Sequence, residues 1–98
     1  MDLQLKDKVI LVSGGAKGIG EAIAKALALE NAIPVIIGRN REDNKKLENE
    51  IIAAGGKCAS VVAELAEPTE CEKAIKETVA LFGRIDGLVN NAGLNDGV

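Results

Sequence analysis

The sequence predicts an α/β fold in which four parallel strands make a doubly wound sheet of order 3-2-1-4, covered by three helices. Two features carry that prediction. Short continuous apolar runs alternate with longer stretches whose apolar residues recur at helical spacing, as successive βαβ units require. A glycine-rich segment, Ser13-Gly14-Gly15-Ala16-Lys17-Gly18-Ile19-Gly20, stands where the first apolar run gives way to the first helical stretch. Right-handed crossovers then set the strand order.

The first run, Val9-Ile10-Leu11-Val12, has no polar interruption, as a strand covered on both faces needs. From Gly18 the period becomes helical, with Ile19, Ile23, Ala26 and Leu27 on one face and Glu21, Lys25 and Glu30 elsewhere. Asn31 is placed to close this helix in a left-handed conformation. Residues Ile33 to Ile37 form the second strand, with Pro34 near its start, where a missing N–H is tolerated. Asn40 caps a second helix, in which Leu47, Ile51 and Ala54 share a face before Gly55-Gly56.

Cys58 to Ala63 reads as the third strand. Pro68 suits the first turn of a third helix, whose buried face is Cys71, Ile75, Thr78 or Val79, and Phe82; Gly83 stops it. Ile85 to Val89 supplies the fourth strand, which runs into Asn90-Asn91-Ala92-Gly93. The order 3-2-1-4 leaves that strand at an edge, yet Gly87-Leu88-Val89 is apolar like a central strand. A further partner is expected beside it, and the chain reads as cut short.

At 98 residues the chain makes one domain with a modest core. A net charge of -3, with both signs interspersed, gives no basic footprint for nucleic acid or for a membrane surface. No apolar run approaches a membrane span and the N-terminus shows no signal-peptide pattern, so a cytoplasmic location is expected. Cys58 and Cys71 lack the spacing of a redox or metal pair and read as reduced core thiols. With no His, neither a His-based triad nor a zinc site can be assembled. The carboxylates Glu42, Asp43, Glu48, Glu50, Glu70, Glu72 and Glu77 read as solvated helix faces.

The glycine segment carries the chemistry. A dinucleotide's diphosphate rests against the unpaired N–H groups that open a helix. Gly14 permits the turn out of the strand, and bare positions at Gly18 and Gly20 let backbone and phosphate approach. A Walker-type loop would need Lys and Ser/Thr directly after the last glycine, where Glu21-Ala22 stands instead. A glycine turn with a purely structural role is the competing reading.

Ser13-Gly14-x-x-x-Gly18-Ile19-Gly20 resembles the Thr-Gly-x-x-x-Gly-x-Gly fingerprint of the short-chain dehydrogenase/reductase family, with Ser for Thr. Asn90-Asn91-Ala92-Gly93, led in by Gly83-Arg84-Ile85-Asp86-Gly87-Leu88-Val89, is similar to that family's Asn-Asn-Ala-Gly motif. The resemblance covers essentially the whole chain. It implies a Rossmann-type, partial NAD(P)-binding domain over residues 1–98 and an oxidoreductase that moves hydride between nicotinamide and an alcohol or carbonyl substrate. It further implies cofactor contacts from Ser13, Gly14, Lys17, Gly18, Ile19 and Gly20. The backbone of Asn91, Ala92 and Gly93, with Asn90 beside them, is implied at the cofactor ribose. Glu64 stands where the family usually has Asp, at the adenine, and the backbone of Leu65 follows it.

In NAD-binding folds of this kind an acid ends the second strand, about 20 residues after the glycines, and binds the ribose hydroxyls. Here Gly38 occupies that place and Arg39 follows. A guanidinium can grip a 2′-phosphate that an acid would repel, and Lys17 adds a second positive charge. NADP(H) is therefore favoured, with NAD(H) left open.

Catalysis in the family, as the resemblance implies it, uses a Tyr and a Lys on one helix turn, a Ser and an upstream Asn. This sequence contains no Tyr, so the 98 residues alone are expected to be inactive. Three readings follow: the cofactor-binding half of a full reductase, a non-catalytic dinucleotide-binding or interaction module, or a truncated product without function. The first is favoured. The family resemblance extends to 3-oxoacyl-carrier-protein reductases and sugar dehydrogenases, with Leu94-Asn95-Asp96-Gly97-Val98 leaning to the latter, and implies a homo-oligomer, dimer or tetramer, at full length.

Overall fold

A computed structural model describes residues 4–14, 17–64 and 67–90. Their elements run β1 (Val9–Ser13), α1 (Gly18–Leu29), β2 (Ile33–Gly38), α2 (Arg41–Ala53), β3 (Ala59–Val62), α3 (Pro68–Phe82) and β4 (Gly87–Asn90). All strand pairs are parallel and the order is β3-β2-β1-β4, as expected for a Rossmann-type sheet. In register, Leu11 lies between Val35 and Leu88, and Ile37 opposite Val61.

The period of two along each strand sorts the core into two layers. Val9, Leu11, Ile33, Val35, Ile37 and Val61 pack with Ala74 on the α3 side. Ile36 packs with Ala24, Leu47 and Ile51, and Ile10 and Val12 with Ile23 and Leu27, on the side of α1 and α2. Every residue of β1 is buried, which explains its unbroken apolar run.

Pro34 sits in a strand with neighbours on both sides, and the alternation of hydrogen-bonding direction explains how. Ile33 N–H donates to Lys8 O at 2.8 Å, toward β1. The next residue therefore turns its nitrogen toward β3, where pairing begins only at Val35 opposite Ala59. The missing donor lies just before that ladder begins.

The local stop and start chemistry is as the sequence predicts. Asn31 is left-handed at φ 66° just after α1, and Gly83 closes α3 at φ 75°. Asn40 Oδ1 accepts from Asp43 N–H at 3.0 Å, and Pro68 occupies the first turn of α3.

Helix faces differ from expectation. In α1 the buried stripe is Gly20 and Ala24, flanked by Ile23 and Leu27, while Ile19 is 57 % exposed and Ala26 is exposed. In α3 it is Ala74 and Thr78, with Cys71 and Phe82 half-buried and with Ile75 and Val79 exposed. Small residues at the line of closest approach let a helix settle onto the sheet, and bulkier ones are turned to its flanks. Thr78 meets its own need by donating to Ala74 O at 2.8 Å. In α2, Ala54 is exposed because it is the C-cap, and the buried stripe begins instead at Asn44.

Strand limits also shift. β3 is shorter than Cys58 to Ala63, and β2 runs on to Gly38. β4 starts at Gly87 rather than Ile85, because Asp86 engages β1 with both backbone and side chain. Its N–H donates to Val9 O at 2.8 Å and its Oδ2 accepts Val9 N–H at 2.8 Å, while Arg84 donates to Oδ1 at 2.7 Å. A carboxylate stands where a strand carbonyl would. Beyond it, Leu88 is 65 % exposed on an edge strand.

The Arg84 hydrogen bond, followed by that from Val9, holds the Asp86 carboxyl below its ordinary value. A lowered folded value means that Asp86 contributes stability above the unfolded value of about 4, and that this is lost as pH falls below it. Asp86→Asn is expected to lower stability at neutral pH and to flatten the acid limb of a urea-midpoint profile. Superimposable acid limbs would contradict this.

Candidate functional site: the carboxyl edge of the sheet

In an open parallel sheet the loops leaving the carboxyl ends of the strands meet along one edge, and ligands bind there. Three of those exits are tied together. Gly14, left-handed at φ 65°, donates its N–H to Ile37 O at 2.9 Å, which joins the end of β1 to β2. Ser13 Oγ donates to Asn90 Oδ1 at 3.0 Å and lies 3.3 Å from Val89 O, which joins β1 to β4. The first residues of the two predicted motifs, 77 residues apart, are thus hydrogen-bonded to each other.

α1 opens at that edge. Its N-cap, Lys17, gives no side-chain cap, whereas α2 is capped by Asn40. The first N–H groups of a helix have no intrahelical partner, and they carry the positive end of its dipole. Gly18 takes φ 60°, and a Cβ placed on it would meet nothing within 4 Å among the described residues outside its neighbours and its own helix backbone. Gly20, two residues further on, is buried. Glu21, the acid of the first turn, is engaged by Lys25 at 2.9 Å, and Lys25 also reaches Glu50 at 3.4 Å. Those carboxylates, Glu21 first, raise the Lys25 ammonium above its ordinary value.

The exits of β2 and β3 form a second cluster. Arg39, 79 % exposed, places Nη1 3.5 Å from Glu64 Oε2, and Lys17 Nζ lies 3.2 Å from Asp43 Oδ2. Lys17 therefore spans from the glycine turn to the start of α2. Exposed pairs of this kind contribute little and exchange readily for another anion. Asp43, read from the sequence as a solvated face, belongs to this rim. Asn44 was missed altogether, although its spacing of three and seven residues from Leu47 and Ile51 sets it on the apolar stripe. Leu65, Asn91, Ala92 and Gly93 lie outside the described residues.

Among the described residues there is no group of His, Cys, Asp and Glu able to hold a metal ion, and no helix is long and apolar enough to cross a membrane. Burial pushes the Cys58 thiol up to about 12, so it is a packing residue and not a nucleophile at neutral pH.

Residues 8–98 match the model of the short chain dehydrogenase family. This chain belongs to that family. It is 36% identical over 94 residues to a cyclohexanol dehydrogenase of Acinetobacter sp. (strain SE19), covering 96% of this chain and 38% of that protein. It is 39% identical over 95 residues to an L-rhamnose 1-dehydrogenase (NAD(P)(+)) of Azotobacter vinelandii, covering 92% and 37%. A metagenomic short-chain oxidoreductase solved in complex with NADP superimposes with a TM-score of 0.86 at 38% identity, over 91% of this chain and 40% of that one. This short-chain dehydrogenase sequence spans about a third of the length of the curated relatives it matches. The start of α1, which has no side-chain cap, fits the diphosphate of the dinucleotide that the family uses.

Proposed function

We propose that these residues form the cofactor-binding half of an NADP(H)-dependent oxidoreductase acting on an alcohol or carbonyl substrate. The observation that carries the reading is the N-terminus of α1, which has no side-chain cap and where a Cβ on Gly18 would meet nothing within 4 Å among the described residues, together with the exposed cations Lys17 and Arg39. When bound, the dinucleotide supplies the nicotinamide that gives or accepts hydride. The residues of this chain bind and orient it. The N–H groups of Gly18, Ile19 and Gly20 receive the diphosphate, helped by the helix dipole. The Arg39 guanidinium has five donors, and one long contact to Glu64 leaves it able to fork onto a 2′-phosphate. Lys17 adds a second charge.

Ser13 and Asn90 hold the β1 and β4 exits together. By the family's pattern, Asn91, Ala92 and Gly93 serve the ribose, and Glu64 and Leu65 the adenine. The substrate is a secondary alcohol or its ketone, of sugar or 3-oxoacyl type, and the full protein works as a homo-oligomer in the cytoplasm, without nucleic-acid or membrane partners. The 98 residues hold no Tyr to serve as the acid–base group. That favours a second reading, a dinucleotide-binding module without turnover. Dependence of alcohol oxidation on NADP+ in the protein decides between them.

Calorimetric titration of the protein with NADP+ and NAD+ tests the cofactor. Arg39→Ala is expected to weaken NADP+ by about ten- to a hundredfold, the worth of a charge-assisted hydrogen bond, and to leave NAD+ nearly unchanged. Tighter binding of NAD+ by the unaltered protein would reject the choice of NADP(H).

A further inference from the structure

The corner where β2 ends contains a buried amide that the cofactor reading does not use. Asn44 is 1 % exposed, on the first turn of α2. Its Nδ2 donates to Gly38 O at 3.1 Å and to Val61 O at 3.4 Å, clasping α2 to the ends of β2 and β3. Its Oδ1 is buried with no hydrogen-bond partner among the described residues. That oxygen lies 2.6 Å from the place a Cβ on Gly38 would take, closer than such atoms approach. Gly38 does not have a positive φ, so its backbone does not demand glycine. The amide does.

We propose that Asn44 is a positioning residue for cofactor selectivity: its carboxamide occupies the room that a side chain at position 38 needs. The end of β2 stays bare, and the corner facing the adenosine ribose is left to Arg39. An acid at the end of the second strand is what reads the ribose hydroxyls in NAD-binding folds of this type. Here such a side chain meets the Asn44 oxygen, which repels a carboxylate as well as blocking it. The clasp offers no easy escape, because turning the amide would withdraw Nδ2 from two carbonyls. Gly38 O also accepts Ala63 N–H at 3.1 Å, so shortening Asn44 leaves that carbonyl bonded. This inference rests on the NADP(H) reading, and its steric half can be measured apart from it.

The test uses thermal unfolding without cofactor and calorimetric titration with NADP+ and NAD+ on Gly38→Ala, Gly38→Asp, Asn44→Ala and the two double variants. Gly38→Ala and Gly38→Asp are each expected to lower the unfolding midpoint, the latter more. Adding Asn44→Ala should restore part of each loss, so that the effects are not additive. Gly38→Asp with Asn44→Ala should prefer NAD+ by about tenfold or more. Should Gly38→Asp alone be too unstable to titrate, the Gly38→Ala pair still reports the coupling. Additive midpoints, or Gly38→Asp alone keeping the native midpoint and preferring NAD+, would overturn the role of Asn44. If the unaltered protein prefers NAD+ while the midpoints remain coupled, the cofactor reading fails and only the steric contact stands.

Discussion

Gly18→Val is expected to raise the dissociation constant for NADP+ by about a hundredfold or more while the fold survives. Gly18 has φ 60°, where a β-branched residue is strained by about 1–2 kcal/mol. Among the described residues, beyond its chain neighbours and its own helix backbone, nothing lies within 4 Å of its Cβ position, so a clash at Cβ adds nothing to that cost. The valine methyls would instead stand over the first turn of α1, where the diphosphate must reach the amides of Gly18, Ile19 and Gly20. Losing one or two charge-assisted hydrogen bonds at about 1.5–3 kcal/mol each accounts for the expected factor. Calorimetry measures the affinity, and urea unfolding separates it from stability. A variant that binds NADP+ as the native protein does would place the diphosphate elsewhere.

Ile36→Ala is expected to destabilise the fold by about 2–5 kcal/mol, a large share of the ~5–15 kcal/mol typical of a domain. Ile36 is fully buried in a cluster that joins both helices of its layer, with Ala24 from α1 and Leu47 and Ile51 from α2. A cavity there loosens the relation between the start of α1 and the start of α2, and hence between the glycine turn and Arg39. Ile52→Ala, on the exposed side of α2, is the control and should change stability by less than about 0.5 kcal/mol. The comparison reads the urea midpoint at unchanged slope. Equal costs for the two variants would mean that the two-layer core is misplaced.

What the sequence made legible was local. Asn31, Asn40, Pro68 and Gly83 mark helix ends by chemistry that needs only their neighbours, and all four act as expected. The order of strands follows from chain handedness and the alternation of elements, without any single contact. Helix faces were less legible because periodicity weighs large apolar residues. The sheet is met instead by small ones, so Ile19, Ile75 and Val79 face outward while Gly20, Ala24 and Ala74 face in.

Contacts between distant segments were not legible at all. Lys17 with Asp43, Arg39 with Glu64 and Ser13 with Asn90 exist only because strand order brings their loops to one edge. Asp86 hides the start of β4 by standing in for a carbonyl, which an apolar run cannot reveal. Asn44 breaks a helical stripe, and polarity alone does not say whether such a break is buried.

Backbone amide resonances of the protein, followed by heteronuclear NMR during titration with NADP+, test the diphosphate site most directly. The largest shifts are expected at the N–H groups of Gly18, Ile19 and Gly20, with smaller ones at Gly14 and Arg39. Saturable binding that leaves those three amides unmoved while shifting residues at the amino ends of the strands would contradict the site.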